Sequence, residues 1–166
     1  LGESEERDDK NLIWEMQALA RLNHPGVVAF YHHFTDGLRL FLVMEYCSGG
    51  SLRDKICDAG AITDEQVFEW GLSLCRTLEF VHANDIIHHD IKPSNVLFTG
   101  NSSIKIGDFG IANRNLGTIP YLPPEMLLGD KVSRTDTRVD VYALGLTLLE
   151  CLTGQHPFYG MSFEQA

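Results

Sequence analysis

Two short motifs constrain this chain more tightly than anything else in it: His88-His89-Asp90-Ile91-Lys92-Pro93-Ser94-Asn95 and Asp108-Phe109-Gly110. Between them lie an apolar run, Val96-Leu97-Phe98, a turn at Thr99-Gly100-Asn101 and a second run, Ile104-Lys105-Ile106. Strand-forming triplets around turn residues predict a short β-hairpin joining the motifs. Either motif alone arises by chance in many chains; their order and spacing carry the signal. Together they supply two carboxylates, an amine and an amide. A carboxylate and an amide carbonyl suit a hard cation such as Mg²⁺, which takes oxygen ligands and needs no cage made wholly of protein.

The first motif resembles the catalytic loop of eukaryotic-type serine/threonine protein kinases, H-R-D-L-K-x-x-N, and the second their D-F-G. That resemblance implies an α+β fold with a small β-rich lobe and a mostly helical large lobe. It implies that Asp90 accepts the proton of a substrate hydroxyl, that Lys92 steadies the transferred phosphate, and that Asn95 and Asp108 ligate Mg²⁺. Such chemistry is mainly positioning and charge neutralisation around ATP. Lys92 two residues after the base, with Thr118 after Gly117, resembles the serine/threonine branch, so the implied acceptor is a Ser or Thr hydroxyl on a protein.

Further segments extend the likeness over roughly residues 11 to 160. Leu12 to Val28 has helical apolar spacing at Ile13, Met16, Leu19 and Ala20, then a stop at Asn23-His24-Pro25-Gly26. In the family this is helix C, whose glutamate falls on Glu15. Phe30-Tyr31 and Leu40 to Met44 read as strands around a turn at Asp36-Gly37. Glu45 to Leu52 looks like the kinase hinge, with Met44 as gatekeeper, backbone groups of Glu45 and Cys47 bonding adenine, and Leu97 beneath the ring. Gly117 to Glu125 is similar to the G-T-x-x-Y-x-A-P-E closure of an activation segment, and Asp140 to Glu150 to the central helix of the large lobe. By the same likeness Asp140 ties down the catalytic-loop backbone, and His88 stacks with Leu19, Phe30 and Phe109. The implied organisation is a small-lobe remnant at 1–43, a hinge at 44–50 and a truncated large lobe at 51–166.

Three departures stand out. His89 replaces the usual arginine, whose always-charged fork commonly holds a phosphorylated residue; an imidazole cannot reproduce it. From Asp108 to Glu125 the segment is short, and Thr118 is its one Ser or Thr. Nothing before Glu15 reads as a glycine-rich strand-turn-strand or an ATP-binding lysine, and the basic partner usual for Glu125 is not seen before Ala166. The expectation is therefore a domain incomplete at both ends, its activity by itself left open, with apolar faces of the central helix exposed and poor solubility or self-association. A lesser departure is Pro123, where the family has alanine.

Composition narrows the alternatives. With 44% hydrophobic residues among 166 the chain can bury a sizeable core. A formal charge of −10, with no basic patch, gives nucleic-acid binding little support. No apolar run approaches the ~20 residues of a membrane span. Cys47, Cys57, Cys75 and Cys151 lack C-x-x-C spacing and read as reduced thiols of a cytoplasmic protein, Cys47 being noted for its place in the hinge. Ser48-Gly49-Gly50-Ser51 reads as a turn into a helix, because no G-K-[ST] follows. Val67, Trp70, Leu74, Leu78 and Val81 mark an amphipathic helix. His24, His32, His33, His82 and His156 read as capping or surface residues. Oligomeric state and substrate identity are left open. So are two other readings: a catalytically silent kinase-like binding module, and a small-molecule phosphotransferase of the same fold.

Overall fold

The computed structural model describes residues 20–37, 39–109, 118–127 and 136–161. The expected helix through Glu15 and Leu19 lies outside them. A hairpin comes first, β1 (Phe30–Asp36) against β2 (Arg39–Met44). Its aromatic and apolar residues favour pleated strands. Gly37 turns the chain with φ 59°, a conformation that costs glycine little. The register pairs Phe34 with Phe41, and their rings stack at 5.0 Å.

The next two helices carry their own start signals. Ser51 caps α1 (Leu52–Ala59), and Asp54 reaches back to the Ser51 N–H at 2.8 Å, completing a capping box. Thr63 caps α2 (Asp64–Ala83), whose first turn carries Asp64 and Glu65 against the positive end of the helix. Val67, Gly71, Leu74, Leu78 and Val81 recur at helical spacing on its buried face. A Cβ on Gly71 would lie 3.2 Å from Leu148 Cδ1, so the missing side chain lets α2 approach the last helix closely.

That last helix, α4 (Arg138–Thr153), is buried on several sides: Val139, Asp140, Ala143, Leu144, Leu146, Thr147, Glu150 and Cys151 are all enclosed. It ends at Gly154 in the left-handed conformation, φ 75°. The core forms where α1, α2 and α4 meet the second hairpin, around Leu52, Ile56, Leu74, Phe98, Ile106 and Leu144. Each such side chain contributes roughly 1.5–3 kcal/mol on burial. Val141, Leu149 and Leu152 of α4 remain 60%, 43% and 40% exposed.

The second hairpin, β3 (Val96–Phe98) with β4 (Ile104–Ile106), is short but flanked on both edges. On one side the Gly49 N–H donates to the Phe98 carbonyl at 2.8 Å, and Phe98 N–H to the Gly50 carbonyl at 2.9 Å. On the other, Ile106 N–H donates to the Gly26 carbonyl at 2.7 Å and Val28 N–H to the Ile106 carbonyl at 2.9 Å. Few edge groups are thus left bare, which lets three-residue strands hold their register. The segment from His24 to Gly26 packs on α2: the His24 ring stacks on Phe80 at 4.7 Å, and a Cβ on Gly26 would collide with Thr77 Oγ1. The chain therefore enters β3 and leaves β4 at one end of a braced hairpin, and the two motifs meet there.

Candidate active site

The loop before β3 is set by one buried carboxylate. Asp140, in the first turn of α4, accepts the His88 N–H on Oδ2 at 2.9 Å and the His89 N–H on Oδ1 at 2.8 Å. Burial alone would raise its pKa, but the His82 bond, the nearby His88 and the two backbone N–H donors outweigh it and keep the carboxyl below the usual range. These bonds hold His89 at φ 64°, where an L-residue is strained. His88 is buried. Its Nδ1 accepts the Asp90 N–H at 3.2 Å while Nε2 lies 2.9 Å from the Gly107 carbonyl, so the neutral tautomer with a proton on Nε2 satisfies both contacts. Burial drives its pKa down, and its ring packs 4.5 Å from that of Phe109. Of the other two residues expected in this stack, Leu19 lies outside the described residues and Phe30 stacks on His33 at 6.4 Å.

Asp90 sits at the centre of a closed set of donors. Lys92 Nζ donates to Oδ2 at 2.7 Å, and Asn95 Nδ2 at 3.0 Å. Thr118 donates to Oδ1 from its hydroxyl at 2.7 Å and from its N–H at 3.1 Å. Lys92 Nζ also lies 2.7 Å from Thr118 Oγ1. Burial pushes the Asp90 carboxyl up, yet the Lys92 and Thr118 bonds pull harder and hold it below its ordinary value. It is a carboxylate at neutral pH, oriented and partly shielded.

Asp108 is exposed just beyond β4, with φ 53°. It is joined to the loop through its neighbour, since the Gly107 N–H donates to the Asn95 carbonyl at 2.9 Å. Asn95 spends its amide nitrogen on Asp90, on the backbone carbonyl at 2.8 Å as well as the carboxylate. Its Oδ1 is the end left to act as a ligand. Asn95 and Asp108 thus offer the amide oxygen and carboxylate that a hard cation shared with phosphate oxygens would take. Among the described residues no cluster of three or more His, Cys, Asp or Glu side chains is placed to hold a metal unaided.

The segment expected to form the hinge follows β2. Its Glu45 N–H donates to the Ala29 carbonyl at 2.8 Å, while among the described residues the Glu45 carbonyl and the Cys47 N–H have no hydrogen-bond partner. This acceptor and donor are the backbone groups that the resemblance assigns to adenine. Leu97 is half-buried between Ser51 and Lys105, and Met44 is 42% exposed. Burial pushes the Cys47 thiol pKa up, with the Glu45 carboxylate adding to it.

Of the remaining expected residues, Glu125 is exposed in the first turn of α3 (Pro124–Leu127) and Glu15 lies outside the described residues. His89 and Pro123, both unusual for the resemblance, line the same small cleft with Asp90 and Val139. Sequence reading missed three features. His82 is not a surface or capping residue: it is partly buried with Nε2 2.8 Å from Asp140 Oδ2. Glu150, enclosed in α4, bonds Arg53 and the Tyr121 hydroxyl, and Arg53 reaches that hydroxyl at 2.9 Å. Burial and the Glu150 bond push the Tyr121 pKa well above its ordinary value. Lys105 bonds Glu45 at 2.8 Å. A glutamate amid the apolar residues of α4 was the one available signal, because a buried carboxylate requires a partner.

A carboxylate held by a lysine, an asparagine and a threonine, on a loop joined by one short hairpin to an exposed aspartate, is the arrangement expected of a phosphotransferase of the protein kinase type. The chain belongs to the protein kinase domain family, whose model matches residues 2–166. It is 40% identical over 164 residues to serine/threonine-protein kinase PknB of Mycobacterium leprae, covering 89% of this chain and 26% of that protein. It is 39% identical to PknB of Mycobacterium tuberculosis over 165 residues, again 89% of this chain and 26% of the relative. Aurora kinase B of Danio rerio is 34% identical over 152 residues, 87% of this chain and 47% of that protein. The chain thus spans about a quarter of the length of the bacterial relatives it matches. Among the described residues no helix is long and apolar enough to cross a membrane.

Proposed function

We propose that this chain is catalytic machinery of a cytoplasmic serine/threonine protein kinase that transfers the γ-phosphoryl group of ATP to Ser or Thr hydroxyls of proteins. The observation that carries the reading is the Asp90 carboxylate held at once by Lys92, Asn95 and Thr118. Residues 1–43 would form part of the small lobe, 44–50 the hinge and 51–166 the large lobe. The Glu45 carbonyl and Cys47 N–H read adenine above Leu97. Asn95 and Asp108 would hold Mg²⁺, which supplies charge neutralisation at the phosphates when bound. Asp90 orients the acceptor hydroxyl and takes its proton as the new O–P bond forms and the bridging β–γ bond breaks, releasing ADP. Lys92 follows the phosphoryl group across.

Two features refine this reading. Thr118 links the acceptor-side segment to both Asp90 and Lys92, which supports a hydroxyl acceptor on a protein rather than on a small metabolite. His89, unable to form a permanent bidentate pair with a phosphate, argues against control by phosphorylation of the segment between Asp108 and Glu125.

The test is thermal stability of the full-length protein with Mg²⁺-ATP, beside an Asp108→Asn variant, followed by phosphate transfer to Ser/Thr peptides. Saturation at ~100 times the dissociation constant stabilises by about 2.7 kcal/mol. A Mg²⁺-dependent upward shift, lost in the variant, together with peptide phosphorylation is expected. Nucleotide binding without transfer would instead identify a silent binding module.

A further inference from the structure

The segment Gly26 to Ala29 is gripped from both sides, by β4 and by the hinge. Ile106 bonds Gly26 and Val28 through the backbone, and Glu45 N–H bonds the Ala29 carbonyl. One side chain spans the same gap. Lys105 Nζ is 2.8 Å from Glu45 Oε2 and donates to the Val27 carbonyl at 3.2 Å. Glu45 Oε2 also accepts the Ala29 N–H at 3.1 Å. The side chains of Lys105 and Glu45 are only 12% and 23% exposed, so solvent screens the pair less than an ordinary surface pair.

The placement of this strut matters more than its strength. Lys105 stands three residues before Asp108 on the strand that leads to it. Glu45 is the residue whose carbonyl, with the Cys47 N–H, faces no partner among the described residues. The bond therefore ties the metal-side strand to the purine-side backbone.

We propose that Lys105 is a positioning residue for the nucleotide, holding the hinge through Glu45 where the adenine edge is read. The inference rests on the kinase reading above. Lys105 itself touches no part of the nucleotide; a hinge held in its bound geometry loses less conformational freedom on binding. The strut accordingly acts on the purine and is indifferent to the phosphates.

Calorimetric titration of the full-length protein with adenosine and, separately, with Mg²⁺-ATP tests this. In Lys105→Met both dissociation constants rise by the same factor, about fivefold, the scale set by one partly screened pair. Glu45→Gln gives a similar loss, the double variant is no worse than either single one, and Lys105→Arg keeps most of the affinity. Affinity for an acceptor peptide does not move. Adenosine binding that is unchanged or tighter in Lys105→Met overturns the proposal, as does a loss confined to Mg²⁺-ATP, which would place the action at Asp108. Additive losses in the double variant overturn it too. A wild type that binds Mg²⁺-ATP while Lys105→Met is unaffected refutes the strut alone; a wild type that binds neither ligand refutes the kinase reading as well.

Discussion

Replacing Asp140 by asparagine removes a charge and almost no volume from the most enclosed carboxylate near the catalytic loop. Oδ2 receives His88 N–H and His82 Nε2, and Oδ1 receives His89 N–H. An amide oxygen can occupy the Oδ2 position and keep two of these bonds. Its nitrogen then faces the His89 N–H, donor against donor. One charge-assisted bond is lost, at about 1.5–3 kcal/mol, and the other two weaken as the acceptor becomes neutral. The expected cost is about 3 kcal/mol, against the roughly 5–15 kcal/mol that keeps a domain folded. Alanine, which strands both N–H groups and His82, should cost about 1–2 kcal/mol more.

Urea unfolding of the wild type and the two variants measures this directly. With a slope of roughly 2 kcal/mol per molar urea, asparagine should lower the midpoint by about 1.5 M without changing the slope. A pH series supplies a second check. The Asp140 carboxyl has a depressed pKa in the folded protein, so its stabilisation is fully present above the unfolded value, about 3.9, and is lost as pH falls through the folded value. The gap between wild type and Asp140→Asn should therefore hold near neutrality and narrow below about pH 4. A midpoint shift under about 0.3 M would refute the account of this carboxylate as the loop's anchor.

Three further outcomes follow from the same geometry. Gly49→Ala puts a Cβ 2.8 Å from the carbonyl oxygens of Phe98 and Thr99; because backbone cannot yield as a side-chain tip does, a loss of about 2 kcal/mol is expected in thermal or urea unfolding. Arg53→Met leaves the buried Glu150 carboxylate with Tyr121 alone and should cost about 3 kcal/mol, whereas Arg53→Met with Glu150→Leu recovers most of it; a double-mutant cycle with no coupling would sink this reading. Thr118→Ser keeps the hydroxyl that bonds Asp90 and Lys92 and should retain most of the peptide-phosphorylation rate. Thr118→Ala should lower it about tenfold or more at saturating ATP, and equal rates for the two variants would remove Thr118 from the site.

What could be read from the sequence was what neighbouring residues determine. Ser51 and Asp54 cap α1 across one turn, the Val67 to Val81 stripe marks the buried face of α2, and Val96 to Ile106 fold back across a five-residue turn. Each signal acts within a few positions, so spacing alone reveals it. The pairing of His82 with Asp140 crosses 58 positions and that of Arg53 with Glu150 crosses 97. A histidine in the last turn of an amphipathic helix looks the same from sequence whether it meets water or a buried carboxylate.

The same limit explains why the site was legible only in part. Asp90, Lys92, Asn95 and Asp108 lie in two motifs joined by one hairpin, and the structure brings Asp90, Lys92 and Asn95 into direct contact. What holds them comes from elsewhere in the chain: Asp140 fixes the strained backbone at His89, Thr118 closes over Asp90, and Lys105 binds the strand before Asp108 to the hinge. The resemblance already assigns Asp140 to the loop backbone and Thr118 to the segment closure; the Lys105–Glu45 bond joins distant elements with no local pattern to select that partner. The cost of breaking such supports is large, because a group left unpaired in a low-dielectric interior loses the solvation it gave up on folding. A site whose loop residues are intact can therefore be disabled from positions outside the loop, with Asp140 the most exposed to that failure because both backbone donors of the strained turn depend on its single carboxylate.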